Sequence, residues 1–124
     1  MDFENATFVK LKQVVSPESD AILEEMLLEG ESILMSFRGS RDKVVFTSKR
    51  VIALNVQGML GKKKSLTSLP YTKIQSFSVE TAGTFDRDAE MELWFSGLGK
   101  VKFAFAGDVD VAYLSKLIGH YVLQ

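Results

Sequence analysis

The stretch that most limits what this chain can fold into is residues 44–77, VVFTSKRVIALNVQGMLGKKKSLTSLPYTKIQSF. It reads as four short strands joined by tight polar turns, with a Gly- and Lys-rich tip in the middle. Val51, Ile52, Ala53, Leu54 and Val56 are interrupted only by Asn55, the pattern of a strand buried on both faces. Thr47-Ser48-Lys49-Arg50 is a tight connection, and the Thr47 hydroxyl is expected to hydrogen-bond into it. Pro70 ends the strand over 65–69, because it has no N–H to donate to a ladder.

The strand-and-turn habit extends on both sides. Ile33, Met35 and Phe37 alternate with Ser32, Ser36 and Arg38, and residues 38–42 turn the chain back into 43–47. Met91, Leu93 and Phe95 alternate with Glu90, Glu92 and Trp94, and Val101, Phe103 and Phe105 alternate with Lys100 and Lys102. The opposite charges on these last two strands are expected to meet across one hairpin with a wet outer face. Ser16-Pro17-Glu18 has the form of a helix start, Ile22, Leu23, Met26 and Leu27 follow at helical spacing, and Gly30 stops the run. Residues 1–15 are mixed, helical or extended. Asp108 is expected to cap a last helix whose stripe is Val111, Leu114, Leu117, Ile118, Tyr121 and Val122.

These readings place the chain in the mainly β class: a partly open antiparallel barrel of about seven strands, with a short N-terminal helix and a closing C-terminal α-helix. One domain over 1–124 is expected, divided into a helical extension (1–30), a barrel (31–107) and the last helix (108–124). A chain of 124 residues, 46% apolar and 25% charged, buries a core without staples. Fifteen basic against sixteen acidic side chains lack the basic excess of a nucleic-acid binder. With no cysteine there is neither disulfide nor thiolate metal site. The opening residues lack the apolar region of a signal peptide, and no apolar run approaches the roughly 20 residues of a spanning helix. A soluble, cytoplasmic protein is expected.

Residues 42–52 (DKVVFTSKRVI), Gln57-Gly58, Gly61-Lys62-Lys63, 70–74 (PYTKI), 77–86 (FSVETAGTFD) and 90–94 (EMELW) stand in an order and spacing that resembles the bacterial pleckstrin-homology domains. The likeness covers the chain from about Glu31 to its end. It implies a partly open barrel and ring-shaped homo-oligomers, a pentamer being the ring most often ascribed to the family. It does not carry over inositol-phosphate binding. Relatives with that activity use lysines and arginines around a long first hairpin loop, whereas here the loop is only Gly39-Ser40-Arg41-Asp42.

Candidate chemistry is sparse. Gly58-Met59-Leu60-Gly61-Lys62-Lys63-Lys64-Ser65 has two residues between its glycines where a nucleotide P-loop has four, and a strand follows it rather than a helix. It reads as a hairpin tip whose Met59, Leu60, Lys62, Lys63 and Lys64 would meet a partner: a neighbouring subunit, or an anionic membrane surface. The motif alone does not choose between them. Asp86, Asp88, Glu90 and Glu92 alternate, but a straight strand spreads such carboxylates by about 6.6 Å per pair, too far to converge on one cation. His120 is the only histidine, so neither a transition-metal site nor a catalytic triad is indicated. Asp42, Arg50 and Glu80 are charges set within apolar strands or turns, and with Thr47 they are expected to hold the hairpins together as a structural ion-pair and turn set. The expectation is therefore a module that is not an enzyme and needs no cofactor, self-associating and offering a surface to a protein partner. The alternative is a peripheral anionic-lipid or phosphate-ligand binder acting through residues 59–64.

Overall fold

The computed structural model describes residues 5–14, 21–40, 42–57, 63–81 and 88–123. Eight strands form one open sheet in the order β5-β4-β3-β2-β1-β8-β7-β6. They are β1 (Thr7–Gln13), β2 (Ile33–Arg38), β3 (Asp42–Thr47), β4 (Arg50–Gln57), β5 (Lys63–Pro70), β6 (Ile74–Glu80), β7 (Glu90–Phe95) and β8 (Gly99–Phe105). Helix α1 (Ala21–Met26) precedes β2, a 3-10 turn at Tyr71–Lys73 joins β5 to β6, and helix α2 (Val111–Val122) closes the chain. The expected partly open barrel and closing helix are both present.

The strand count is eight rather than about seven, and the added strand is β1. Residues 1–30 are therefore not a helical extension throughout, and the sheet is not wholly antiparallel. β1 lies between β2 and β8, antiparallel to the first and parallel to the second, and so joins the two halves of the sheet. Its apolar spacing hides it from a period-two reading, because Phe8 and Leu11 are three residues apart yet both fully buried. A bulge with Lys10 at φ 56 supplies the extra residue that returns Leu11 to the core side.

A second irregularity moves Ile33. The β2–β3 register shifts between Ile33 and Met35, so Met35 and Phe37 enter the main core while Ile33 joins a smaller cluster with Leu23, Leu27, Val45, Ile52 and Leu66. That cluster lies under α1 and explains the apolar run of β4. Val51 and Ala53 belong to the main core, and Ile52 belongs to the layer beneath α1. Phenylalanines dominate the interior: Phe8 stacks on Phe103 at 5.6 Å, Phe46 lies 6.0 Å from Phe103, and Phe37 lies 4.7 Å from Phe105.

Helix α2 buries Val111, Leu114, Leu117 and Ile118, with Tyr121 and Val122 packed at the margin. Its cap is Asp110, not Asp108: the Asp110 carboxylate accepts the Tyr113 N–H at 3.0 Å, and Asp108 lies before the cap. The β7–β8 hairpin pairs its charges as expected, Glu90 with Lys102 at 3.2 Å and Glu92 with Lys100 at 3.8 Å.

Gly99 opens β8 at φ +89, where a Cβ would run into the Asn5 carboxamide oxygen that accepts the Lys100 N–H. Gly99→Ala is thus expected to combine a left-handed backbone penalty with the loss of that tie to β1, costing about 1–3 kcal/mol. A lower urea midpoint with an unchanged denaturation slope would show it.

Candidate functional site

The best-defined polar constellation gathers where the β3–β4 turn meets the approach to β2. Thr47 is the last residue of β3 and Arg50 the first of β4. The Thr47 hydroxyl oxygen accepts the N–H groups of Lys49 and Arg50 at 3.1 and 3.0 Å, closing the two-residue turn, and donates its own proton to Glu31 Oε2 at 2.5 Å. Arg50 meets the same carboxylate with two donors, Nε to Oε2 at 3.0 Å and Nη2 to Oε1 at 2.9 Å. The Leu28 N–H completes the set on Oε1 at 2.9 Å. Arg50 also reaches the Met26 carbonyl at 2.9 Å and the Ser68 hydroxyl at 2.8 Å.

One guanidinium therefore ties the end of α1, the entry to β2, the β3–β4 turn and strand β5. The Glu31 side chain is fully enclosed and that of Arg50 is 18% exposed. Below it, Tyr71 is buried, donates its hydroxyl to the Thr47 carbonyl at 2.8 Å, and stacks on Tyr121 of α2 at 4.7 Å. Burial raises the Tyr71 pKa, and the neighbouring Tyr121 and Glu31 add to the rise.

Burial pushes the Glu31 carboxyl upward, but the Arg50, Leu28 and Thr47 hydrogen bonds and the Arg50 charge outweigh it and hold its pKa at about 2, below the ordinary 4.5. A depressed carboxylate stabilises the fold fully above its unfolded value and loses that contribution as pH falls through its folded value. Glu31 is thus expected to contribute about 3 kcal/mol at neutral pH, lost progressively between pH 4.5 and about 2. Urea midpoints across that range should fall for the native chain and fall less for Glu31→Gln. Chemically the arrangement is a clasp. Its carboxylate stays ionised near neutral pH and its hydroxyl proton is already committed, which leaves neither a general acid nor a nucleophile.

The structure brings together Thr47 and Arg50 but not the other two members of the expected set. Asp42 bonds the Asn55 side chain across the β3–β4 ladder, and Glu80 ends β6 on the exposed surface opposite Glu90. The partner of Arg50 is Glu31, absent from that set. No local signal marks it, because only the pairing of Ile33 with Thr47 carries residue 31 to a turn 19 positions later. Met59, Leu60 and Lys62 lie outside the described residues, and Lys63 and Lys64 are the first two positions of β5.

Two further features lie on the surface, the first beside the clasp and the second at the far end of the β2–β3 ladder. A depression of about 340 Å³ is lined by Met26, Arg50, Ile52, Leu66 and Ser68, from the end of α1 and strands β4 and β5. Across the sheet, register sets Lys12 of β1 opposite Arg38 of β2, and Arg38 opposite Lys43 of β3, so three cations stand in one row. Among the described residues no three His, Asp or Glu side chains converge as metal ligands, and no helix is long and apolar enough to cross a membrane.

Comparison with known proteins agrees with this architecture. The chain is 44% identical over 98 residues to the uncharacterized protein YjqA of Bacillus subtilis, covering 77% of this chain and 78% of that protein. It is 35% identical over 105 residues to the uncharacterized protein YozO of the same organism, covering 84% and 90%. A DUF1696 family protein with a pleckstrin-homology domain from Shewanella loihica superposes with a TM-score of 0.77 at 37% identity, covering 92% of this chain and 98% of that one. A pleckstrin homology domain from Shewanella amazonensis superposes with a TM-score of 0.64 at 40% identity, covering 90% and 94%. A family model described as Bacterial PH domain matches residues 2–122, nearly the whole chain, and the protein belongs to that family.

Proposed function

We propose that this chain is a non-enzymatic, cytoplasmic PH-like module that assembles with copies of itself into a ring and presents the assembled surface to a protein partner. The observation that carries this reading is the open sheet. Its order begins at β5 and ends at β6, two unlike strands that pair with β4 and β7 alone among the described residues. Unpaired strand edges recruit strands from other chains unless something covers them. A contact between unlike surfaces repeats head to tail, and closes into a ring where the rotation per copy allows. The clasp supports a non-enzymatic role, since its one strongly shifted carboxylate serves the fold.

Size-exclusion chromatography with light scattering over a wide concentration range tests the proposal. A defined multiple of 13.8 kDa is expected, and a 13.8 kDa monomer at every concentration would sink it. A second reading, attachment to an anionic lipid surface, is favoured by the Lys12–Arg38–Lys43 row. It requires flotation with anionic vesicles at low salt that is lost at high salt and in Lys12→Gln; the absence of flotation at low salt would dispose of it.

A further inference from the structure

We infer that the depression beside the clasp is an anchor pocket for a protein partner, taking one aliphatic side chain and its peptide carbonyl from a segment flanked by lysine or arginine. This names the partner chemistry of the reading above and rests on its protein-partner half, not on the ring.

One sheet face and the end of α1 build the pocket. Arg50 and Ile52 are two residues apart on β4, Leu66 and Ser68 are two apart on β5, and register sets Ile52 opposite Ser68. All four therefore share a face. Ile52 is buried and forms the floor, Leu66 is half-buried, and Met26 stands exposed at the rim. The volume of about 340 Å³ is at the small end of the roughly 300–1,000 Å³ of ligand pockets. It suits a side chain with its peptide group and is too small for a large cofactor.

Two hydrogens define the ligand's chemistry. A guanidinium has five N–H groups. In Arg50 the Nε hydrogen, both on Nη2 and one on Nη1 go to Glu31, Met26 and Ser68. One Nη1–H is left, and Ser68, which accepts from Nη1 at 2.8 Å, keeps its own hydroxyl proton. Among the described residues no bond takes either hydrogen. The other bonds hold the guanidinium still, so little ordering is needed when a ligand arrives. Glu31 already neutralises Arg50. A neutral carbonyl thus matches these donors better than a second carboxylate, which would meet Glu31 behind the same guanidinium.

The surroundings set the sign of the flanks. Glu24, Glu25 and Glu29 are exposed on α1 and just after it, and no cation pairs with them among the described residues. Met26 and Leu28, 53% and 58% exposed, are interleaved with these carboxylates in the chain. An apolar rim among unpaired acids fits an aliphatic anchor with basic neighbours, and it repels an anionic membrane.

The test titrates the isotope-labelled full chain with acetyl-Lys-Leu-Lys-amide and follows backbone amide shifts by NMR. Saturable shifts at millimolar peptide are expected at Ile52, Leu66 and Ser68. Acetyl-Lys-Ala-Lys-amide should bind at least about tenfold more weakly, because most of the buried side chain is gone. Acetyl-Glu-Leu-Glu-amide should bind about three- to tenfold more weakly, as its charges oppose the acidic rim. Met26→Lys sets a cation at the exposed rim and should abolish the shifts, with circular dichroism confirming the fold. Shifts that are absent, that fall elsewhere, or that are equal for the leucine and alanine peptides overturn the anchor. Equal or stronger binding of the glutamate peptide overturns the basic partner. An oligomer by light scattering that shows no peptide shift leaves the assembly standing and removes the anchor. A monomer that binds the lysine peptide does the reverse.

Discussion

Arg50→Ala is expected to destabilise the domain by about 3–5 kcal/mol, because it leaves a fully enclosed carboxylate with its cation gone. Glu31 would keep the Leu28 N–H and the Thr47 hydroxyl, two donors that do not neutralise a charge. The variant would also free the Met26 carbonyl and the Ser68 hydroxyl, loosening α1 and β5 together. Glu31→Ala should cost less, since the stranded partner is then Arg50, which reaches water. A pH series separates the two effects. Without Arg50, burial raises the Glu31 pKa, so the penalty is relieved as acid protonates the carboxylate, and the variant should approach the native chain in stability as pH falls. Urea midpoints at pH 7 and pH 3 measure this, and a constant difference between variant and native chain would count against the clasp.

Phe103→Ala is the other large expected loss, about 3–5 kcal/mol. Phe103 is fully buried on β8, where it stacks on Phe8 of β1 and meets Phe46 of β3. Truncation opens a cavity where β1 joins the two halves of the sheet, so it removes packing from both halves at once. Phe77→Ala, at the partly buried margin near α2, should cost clearly less. Equal losses at the two positions, read from urea midpoints at constant slope, would mean that the core is not centred on the β1–β8 seam.

The elements legible in the sequence were those whose side chains report burial locally. The alternation of Met91, Leu93 and Phe95 against Glu90, Glu92 and Trp94 is a direct print of a sheet with one dry and one wet face, and the β7–β8 hairpin has that form. The continuous run at Val51 to Leu54 reads as burial on both sides, and α1 and the core supply the two sides. β1 escaped because its bulge at Lys10 breaks the period that would have announced it. For the same reason, one bulge later in the chain, Ile33 lies on the face opposite to the one its alternation with Met35 and Phe37 predicts. Asp108 and Asp110 are both acids before a helix, and only the 3.0 Å bond to the Tyr113 N–H distinguishes the cap.

Composition and period by themselves determined that this chain is a mainly β domain closed by one helix, because apolar spacing follows from which face of an element meets water. Its family was legible from ordered segments for the same reason, since turns and strand lengths are written locally. Which charges meet was decided only by the tertiary structure. Glu31 finds Arg50, and Lys12 joins Arg38 and Lys43, through strand pairings between distant positions, and no local pattern records a register. The terminal place of β5 among the described strands is of the same kind, since a strand becomes terminal only when the whole order of the sheet is set.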